Sequence, residues 1–75
     1  QAELAQIENA IDNYLLALEI SPDPTQNWRV EEVLARLFIQ IGDFGNALLY
    51  AQRALAGAPE DQKARLQELV AQSGG

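Results

Sequence analysis

One pattern of residues occurs twice in this chain of 75 residues, and the two copies keep the same internal spacing. The first copy reads Asn9-Ala10-Ile11, Tyr14, Ala17-Leu18 and Pro22. The second copy, 37 residues later at every position, reads Asn46-Ala47-Leu48, Ala51, Ala54-Leu55 and Pro59. The two alanines of each copy lie seven residues apart, which places them on one face of a helix. The repetition therefore predicts helices of similar design that pack in series.

Hydrophobic periodicity predicts four helices, because apolar residues recur at helical spacing between three interruptions. The interruptions are the corner Ser21-Pro22-Asp23-Pro24, the turn at Gly42, and the segment from Gly57 to Pro59. The predicted helices cover residues 2–20, residues 24–41 after an Asp23 cap, residues 43–57 and residues 60–72. Residues 73–75 are predicted to be a frayed tail. The expected fold class is all-α, with four helices arranged as consecutive antiparallel hairpins.

The segment from Leu34 to Pro59 resembles a tetratricopeptide (TPR) repeat, a unit of two antiparallel helices. The matching positions are Leu34-Ala35, Phe38, Gly42, Phe44, Ala47, Ala54 and Pro59. The leading tryptophan of the family would fall on Glu31, one turn after Trp28. Together with the upstream half-motif, the resemblance implies a TPR-like α-solenoid fragment in one domain, residues 1–75. Its parts would be a half repeat over 1–22, a full repeat over 23–59, a capping helix over 60–72 and the tail.

The matched residues have a physical reading in such a hairpin. Small side chains are needed where two helices approach closely, and Ala35, Ala47 and Ala54 supply them. Gly42 suits a left-handed cap after the first helix, and Asp43 can then cap the second. Larger side chains are expected to fill the space around the contact between the helices. These are Leu34, Phe38 and Phe44.

Composition bears on the class of function. The chain carries 11 acidic and 5 basic residues, a net charge of −6, and it has no histidine and no cysteine. An acidic balance argues against nucleic acid or an anionic membrane as the partner, since both attract basic residues. No apolar run is long enough for membrane insertion. Without histidine, cysteine or a phosphate-binding glycine loop, we predict no catalytic, cofactor-binding or metal-binding residue, and the chain is not expected to be an enzyme.

The resemblance implies that the inner face of the second helix lines a groove that binds a protein or peptide. The residues that would face the partner are Trp28, Arg29, Glu32, Arg36, Ile39 and Gln40. Arg36 and Ile39 lie off the predicted core stripe, and Glu32 precedes Arg36 by the four residues that favour an ion pair. The alternative is that Trp28 packs against the Pro22–Pro24 corner while the charges are solvated. In the family's carboxylate-clamp subset, Lys and Asn stand where this chain has Glu32 and Arg36, so that activity is not expected.

A second interface is predicted on the first helix, which matches the returning helix of a TPR unit. The preceding helix of that unit would lie upstream of Gln6, where this sequence has only five residues. The apolar residues expected to need a cover are Leu4, Ile7, Ile11 and Leu15. Upstream sequence, a second copy of the chain or a different protein could cover them, and we favour docking onto another chain in a larger assembly.

Two functions are consistent with these patterns. The first is a TPR-type interaction or scaffold module that recognises a partner protein. The second is a purely structural helical subunit, or a self-association domain, without peptide recognition. The accessibility of Trp28 and Ile39 distinguishes them, because a groove-binding module should leave both side chains exposed and a structural one should bury them.

Overall fold

The computed structural model describes the backbone of residues 2–74 and the side chains of residues 3–74. This part of the chain contains four α-helices and no strand. The helices are α1 (Ala2–Glu19), α2 (Asn27–Gln40), α3 (Phe44–Gly57) and α4 (Lys63–Gln72). Short 3-10 turns, Pro24–Gln26 and Glu60–Gln62, precede α2 and α4. The prediction of an all-helical chain with four helices is therefore confirmed.

The proline corner ends α1 and starts the next element one turn earlier than α2 itself. The Asp23 carboxylate accepts hydrogen bonds from the Thr25 backbone N–H at 3.2 Å and from the Thr25 hydroxyl at 2.6 Å. Pro24 stands at the first position of the 3-10 turn, where its missing N–H costs nothing. We expected this turn to be α-helical, but the tighter 3-10 form, which is frequent at helix starts, occupies it.

Gly42 and Asp43 join α2 to α3 in a tight turn. Gly42 has a φ of +79°, a left-handed conformation that glycine adopts without strain. The Gly42 N–H donates to the Ile39 carbonyl and the Asp43 N–H donates to the Phe38 carbonyl, which is the Schellman pattern of helix termination. The Asp43 carboxylate then accepts from the backbone N–H of Asn46 at 3.3 Å. Both predicted caps are present.

Buried alanines form the contact between α2 and α3. Ala35 of α2 and the three alanines that α3 presents to the core, Ala47, Ala51 and Ala54, have no exposed surface. A Cβ placed on Gly57 would lie 3.6 Å from the Trp28 Cβ, so the end of α3 lies beside the start of α2 and the two helices are antiparallel. Small side chains at these positions allow the backbones to come close, and larger ones pack around them.

Two apolar clusters form on either side of this hairpin. In the first, Ile11 of α1 packs with Leu34, Phe38 and Ala47. The Phe38 ring stacks on Tyr50, with ring centroids 5.7 Å apart. In the second cluster, Leu66 and Leu69 of α4 pack with residues of α2 and α3. Those residues are Trp28, Ala35, Ala51, Ala54 and Ala58.

Two side chains lie elsewhere than predicted. Phe44 is 49% exposed although we expected it in the core. Phe44 is the first residue of α3 and belongs to neither apolar cluster, whereas Lys63 of α4 donates to the Leu55 carbonyl near the opposite end of α3. Ser73, which we expected in a frayed tail, is buried, and its hydroxyl donates to the Leu69 carbonyl at 2.8 Å. Gly75 lies outside the described residues.

The close contact between α2 and α3 yields the first prediction. Replacing Ala47 with Leu adds volume where no space remains, and it should lower the free energy of unfolding by about 1–3 kcal/mol. Thermal and urea denaturation followed by circular dichroism measure the change. Ala56→Leu on the exposed face of α3 is the matched control and should change stability by less than about 0.5 kcal/mol. Equal melting temperatures for the two variants would contradict the contact.

Candidate functional site

The predicted partner surface on α2 is only partly accessible. Trp28 is 7% exposed, so the accessibility expected of a groove-binding residue is absent. It belongs to the cluster formed with α3 and α4. The expectation that Trp28 stays accessible is wrong, whereas packing against the Pro22–Pro24 corner stays a prediction. The accessible surface was expected because α4 was treated as a capping helix, but its Leu66 and Leu69 extend the core to Trp28.

Glu32 connects α2 to α4. Its carboxylate accepts a hydrogen bond from the Arg36 guanidinium at 3.2 Å, which confirms the predicted pair four residues apart. Arg65 of α4 donates to the same carboxylate oxygen. The Glu32 side chain is 13% exposed, and two guanidinium groups already occupy it. It is therefore not a free acceptor for a partner.

Ile39 also differs from its predicted role. It is half-buried and packs against both apolar clusters, so it lies at their junction and not on a free stripe. A polar residue at position 39 would therefore weaken the core as well as any surface. Of the six residues predicted to face a partner, three remain exposed. They are Arg29, Arg36 and Gln40. Arg29 lies over the Trp28 ring, 5.2 Å from its centroid.

The second predicted surface, on α1, is mostly covered by α2. Ile11 is 6% exposed, and Ile7 and Leu15 are half-buried in the same cluster. Leu4 is 44% exposed. The four residues therefore do not form an open patch, because the chain's own second helix covers the centre of the arc. Our expectation that an external cover is needed is wrong for Ile11, while Leu4 is the most exposed of the four residues.

A neighbouring strip of α1 is open. We call Ala10, Tyr14 and Ala17 the α1 flank; Ala10 and Ala17 are half-buried, and Tyr14 is 37% exposed. In the second copy of the repeated pattern these positions are Ala47, Ala51 and Ala54, none of which has any exposed surface. The three positions are therefore buried by neighbouring helices in α3, whereas in α1 they keep part of their surface exposed. The 37-residue repeat already relates these positions to the alanines of α3. The sequence-based prediction for α1 considered only large apolar residues and therefore omitted them.

The charges of α1 are all of one sign. Its acidic residues are Glu3, Glu8, Asp12 and Glu19, and it contains no lysine or arginine. The basic residues of the chain all lie further along, from Arg29 to Arg65. Exposed apolar side chains accompany the acidic ones, with Leu16 at 51% and Ile20 at 70%. The surface of α1 is therefore acidic and apolar together.

No cavity and no cluster of potential metal ligands is found in residues 2–74. Within that range no helix has the length and apolar character required to cross a membrane. No protein-family model, curated protein or solved structure matches the chain. The candidate site is therefore a surface, and its description rests on the residues themselves.

Glu31 is the one described group whose protonation is clearly perturbed. Burial raises the pKa of its carboxyl above the ordinary value of 4.5, while the positive charge of Arg53 on α3 acts in the opposite direction. Since the folded-state pKa exceeds the unfolded one, Glu31 favours folding below 4.5 and loses that contribution as the pH rises through the folded-state pKa. At neutral pH its burial therefore costs stability.

This cost can be measured by substitution. Glu31→Gln removes the charge at nearly constant shape and should slightly raise the free energy of unfolding at neutral pH. The gain should vanish below pH 4.5, where the native carboxyl is already neutral. Urea denaturation at both pH values checks the difference, with the exposed Glu68→Gln as control. A loss of stability at neutral pH would mean that attraction to Arg53 outweighs burial.

The difference between the two copies of the pattern gives a direct test of the α1 flank. Ala10→Leu should change the free energy of unfolding by less than about 0.5 kcal/mol, since Ala10 keeps part of its surface exposed. The equivalent Ala47→Leu should cost several times as much. Paired urea denaturation curves at one protein concentration make the comparison. A similar loss at both positions would mean that the flank is covered within the chain.

Proposed function

We propose that this chain is a protein-interaction or scaffold module of TPR type, which docks onto a partner protein in a larger assembly through the α1 flank. The observation that carries the proposal is the partial exposure of Ala10, Tyr14 and Ala17, whose equivalents in α3 have no exposed surface and lie in the clusters formed with the neighbouring helices. Small apolar side chains on a helix face suit close contact with another helix, and burying that face against a partner is more favourable than exposing it to water.

The arrangement of the helices supports the TPR-type reading. Consecutive helices contact each other, and α2 also contacts α4 across α3. The caps, the alanine contact and the proline after α3 agree with the sequence resemblance. In repeat proteins each unit buries its apolar face against its neighbours. We assign no catalytic activity to the chain.

A purely structural or self-associating subunit is the second candidate. The burial of Trp28 and the engagement of Glu32 by Arg65 favour it, because both remove groups from the predicted groove on α2. In that case the α1 flank would pair with another copy of the same chain, or would serve only to join helices within a bundle.

Site-specific photo-crosslinking separates the two functions. A benzoylphenylalanine at position 14 places the reactive group on the α1 flank, and one at position 49 serves as control, since Leu49 is similarly exposed on α3 at 41%. In cells that make the protein, we expect adducts with a second protein from position 14 at several times the yield from position 49. A cross-linked dimer of the chain would favour self-association. Equal yields at both positions, or none, would contradict docking through this flank.

A further inference from the structure

We infer that copies of this chain associate through two helix faces of opposite charge, one on α1 and one on α2. The first, which we call the acidic face, consists of Asp12, Leu16 and Glu19. The second, which we call the basic face, consists of Arg29, Val33 and Arg36. At 3.6 residues per turn the acidic face lies on the side of α1 away from the α1 flank, so this inference goes beyond the proposed function.

The acidic face is open to solvent. Its residues follow each other at spacings of four and three, which places them together on one side of the helix. Both carboxylates are exposed, and Leu16 between them is 51% exposed. The two ion pairs found in residues 3–74 both use Glu32 as the acid, so neither Asp12 nor Glu19 takes part in them. Since α2 packs on α1 around Ile11, the acidic face is accessible to another molecule.

The basic face repeats this arrangement with the opposite sign. Its residues have the same spacings of four and three, both arginines are exposed, and Val33 between them is half-buried. The neighbouring Glu32 carboxylate accepts from Arg36, and Arg65 of α4 donates to the same oxygen. Because Arg65 supplies a second positive charge to Glu32, the face as a whole keeps a positive charge.

The two faces match in length as well as in charge. Seven residues separate the charged groups on each helix, a distance of about 10.5 Å along the axis. A second copy can therefore bring both guanidinium groups of its basic face opposite both carboxylates of the acidic face. Leu16 and Val33 then lie between the charged pairs and can be buried against each other. Opposite charges aligned across an interface determine the orientation of the partners.

The same charges determine which faces meet. Two acidic faces, or two basic faces, would bring like charges together, and such contacts oppose association. Within one copy the two faces lie on different helices and form no ion pair with each other in the part of the chain that the structure describes. The pairing is therefore made between copies. Each copy contributes one face of each sign, so copies can add in series or close into a ring.

Sedimentation equilibrium of the full 75-residue chain tests the association. Salt at about 0.15 M gives a Debye length of about 8 Å, which screens repulsion between whole copies more than attraction between groups in contact. We expect the weight-average mass to rise with protein concentration from 8.2 kDa, the mass of one copy, to at least twice that value. A mass that stays at one copy up to about 0.5 mM would overturn the inference.

Charge reversal tests the two faces. Asp12→Arg with Glu19→Arg makes both faces positive, and Arg29→Glu with Arg36→Glu makes both negative. Each double variant alone should need at least about tenfold higher concentration to associate, because only like charges can then meet. An equimolar mixture of the two should associate as the parent does, because each variant carries the faces that complement those of the other.

A matched control and a second variant make the result decisive. Glu3→Arg with Glu60→Arg changes the net charge as the first double variant does, at exposed positions outside both faces, and should leave association within about twofold of the parent. Circular dichroism verifies that each variant remains helical. If the Arg29 and Arg36 double variant loses helicity, Arg29→Glu alone replaces it, since that change breaks neither ion pair of Glu32.

The outcomes are separate from those of the proposed function. Folded variants that associate like the parent, or a mixture of folded variants that does not recover association, would overturn the inference. Cross-linking from position 14 tests the α1 flank independently, because Tyr14 belongs to neither charged face. A second protein captured there by a chain that remains monomeric would support the proposed function and contradict association between copies.

Discussion

The close contact between α2 and α3 is the constraint on which the rest of the structure depends. Four alanines with no exposed surface allow the two helices to approach, and the Gly42 turn with its left-handed φ returns the chain at the distance that this contact needs. Once the hairpin is formed, Leu34 and Phe38 project to the side where α1 packs, and Trp28 projects to the side where α4 packs. Both outer helices therefore pack on a hairpin in which alanine side chains form the central contact between α2 and α3.

The sequence predicted the helices well because local chemistry determines where each one ends. Prolines, Gly42 and the carboxylates of Asp23 and Asp43 act within a few residues of themselves, and the structure places all of them at the expected boundaries. The candidate site was harder to predict, because burial depends on which helix arrives from a distance. Trp28 was assigned to a surface since its cover, α4, has only three large apolar residues, and two of them suffice to bury it.

The repeated pattern shows how the surroundings of a residue, and not its type alone, determine its burial. Ala10 and Ala47 share a residue type, a helical context and a place in the repeat, yet Ala10 keeps part of its surface exposed and Ala47 has no exposed surface. The difference comes entirely from whether a helix lies beside them. For the same reason, helix propensity and amphipathic pattern alone could not reveal the open flank, since both copies satisfy them equally. The comparison of equivalent positions does reveal it.

The two sides of the α2–α3 hairpin differ in how their polar and apolar groups are satisfied. Toward α4, two polar contacts join helices, since Arg65 donates to Glu32 and Lys63 donates to the Leu55 carbonyl, and Ser73 donates to the Leu69 carbonyl at the end of α4 itself. Toward α1, the flank presents the half-buried Ala10 and Ala17 and the Tyr14 ring, which is 37% exposed. Pairing of polar groups on the α4 side leaves few unpaired groups for a further helix to contact, whereas partly exposed apolar side chains on the α1 flank can still be buried by one. If the module extends by adding a helix, this asymmetry favours addition beside α1.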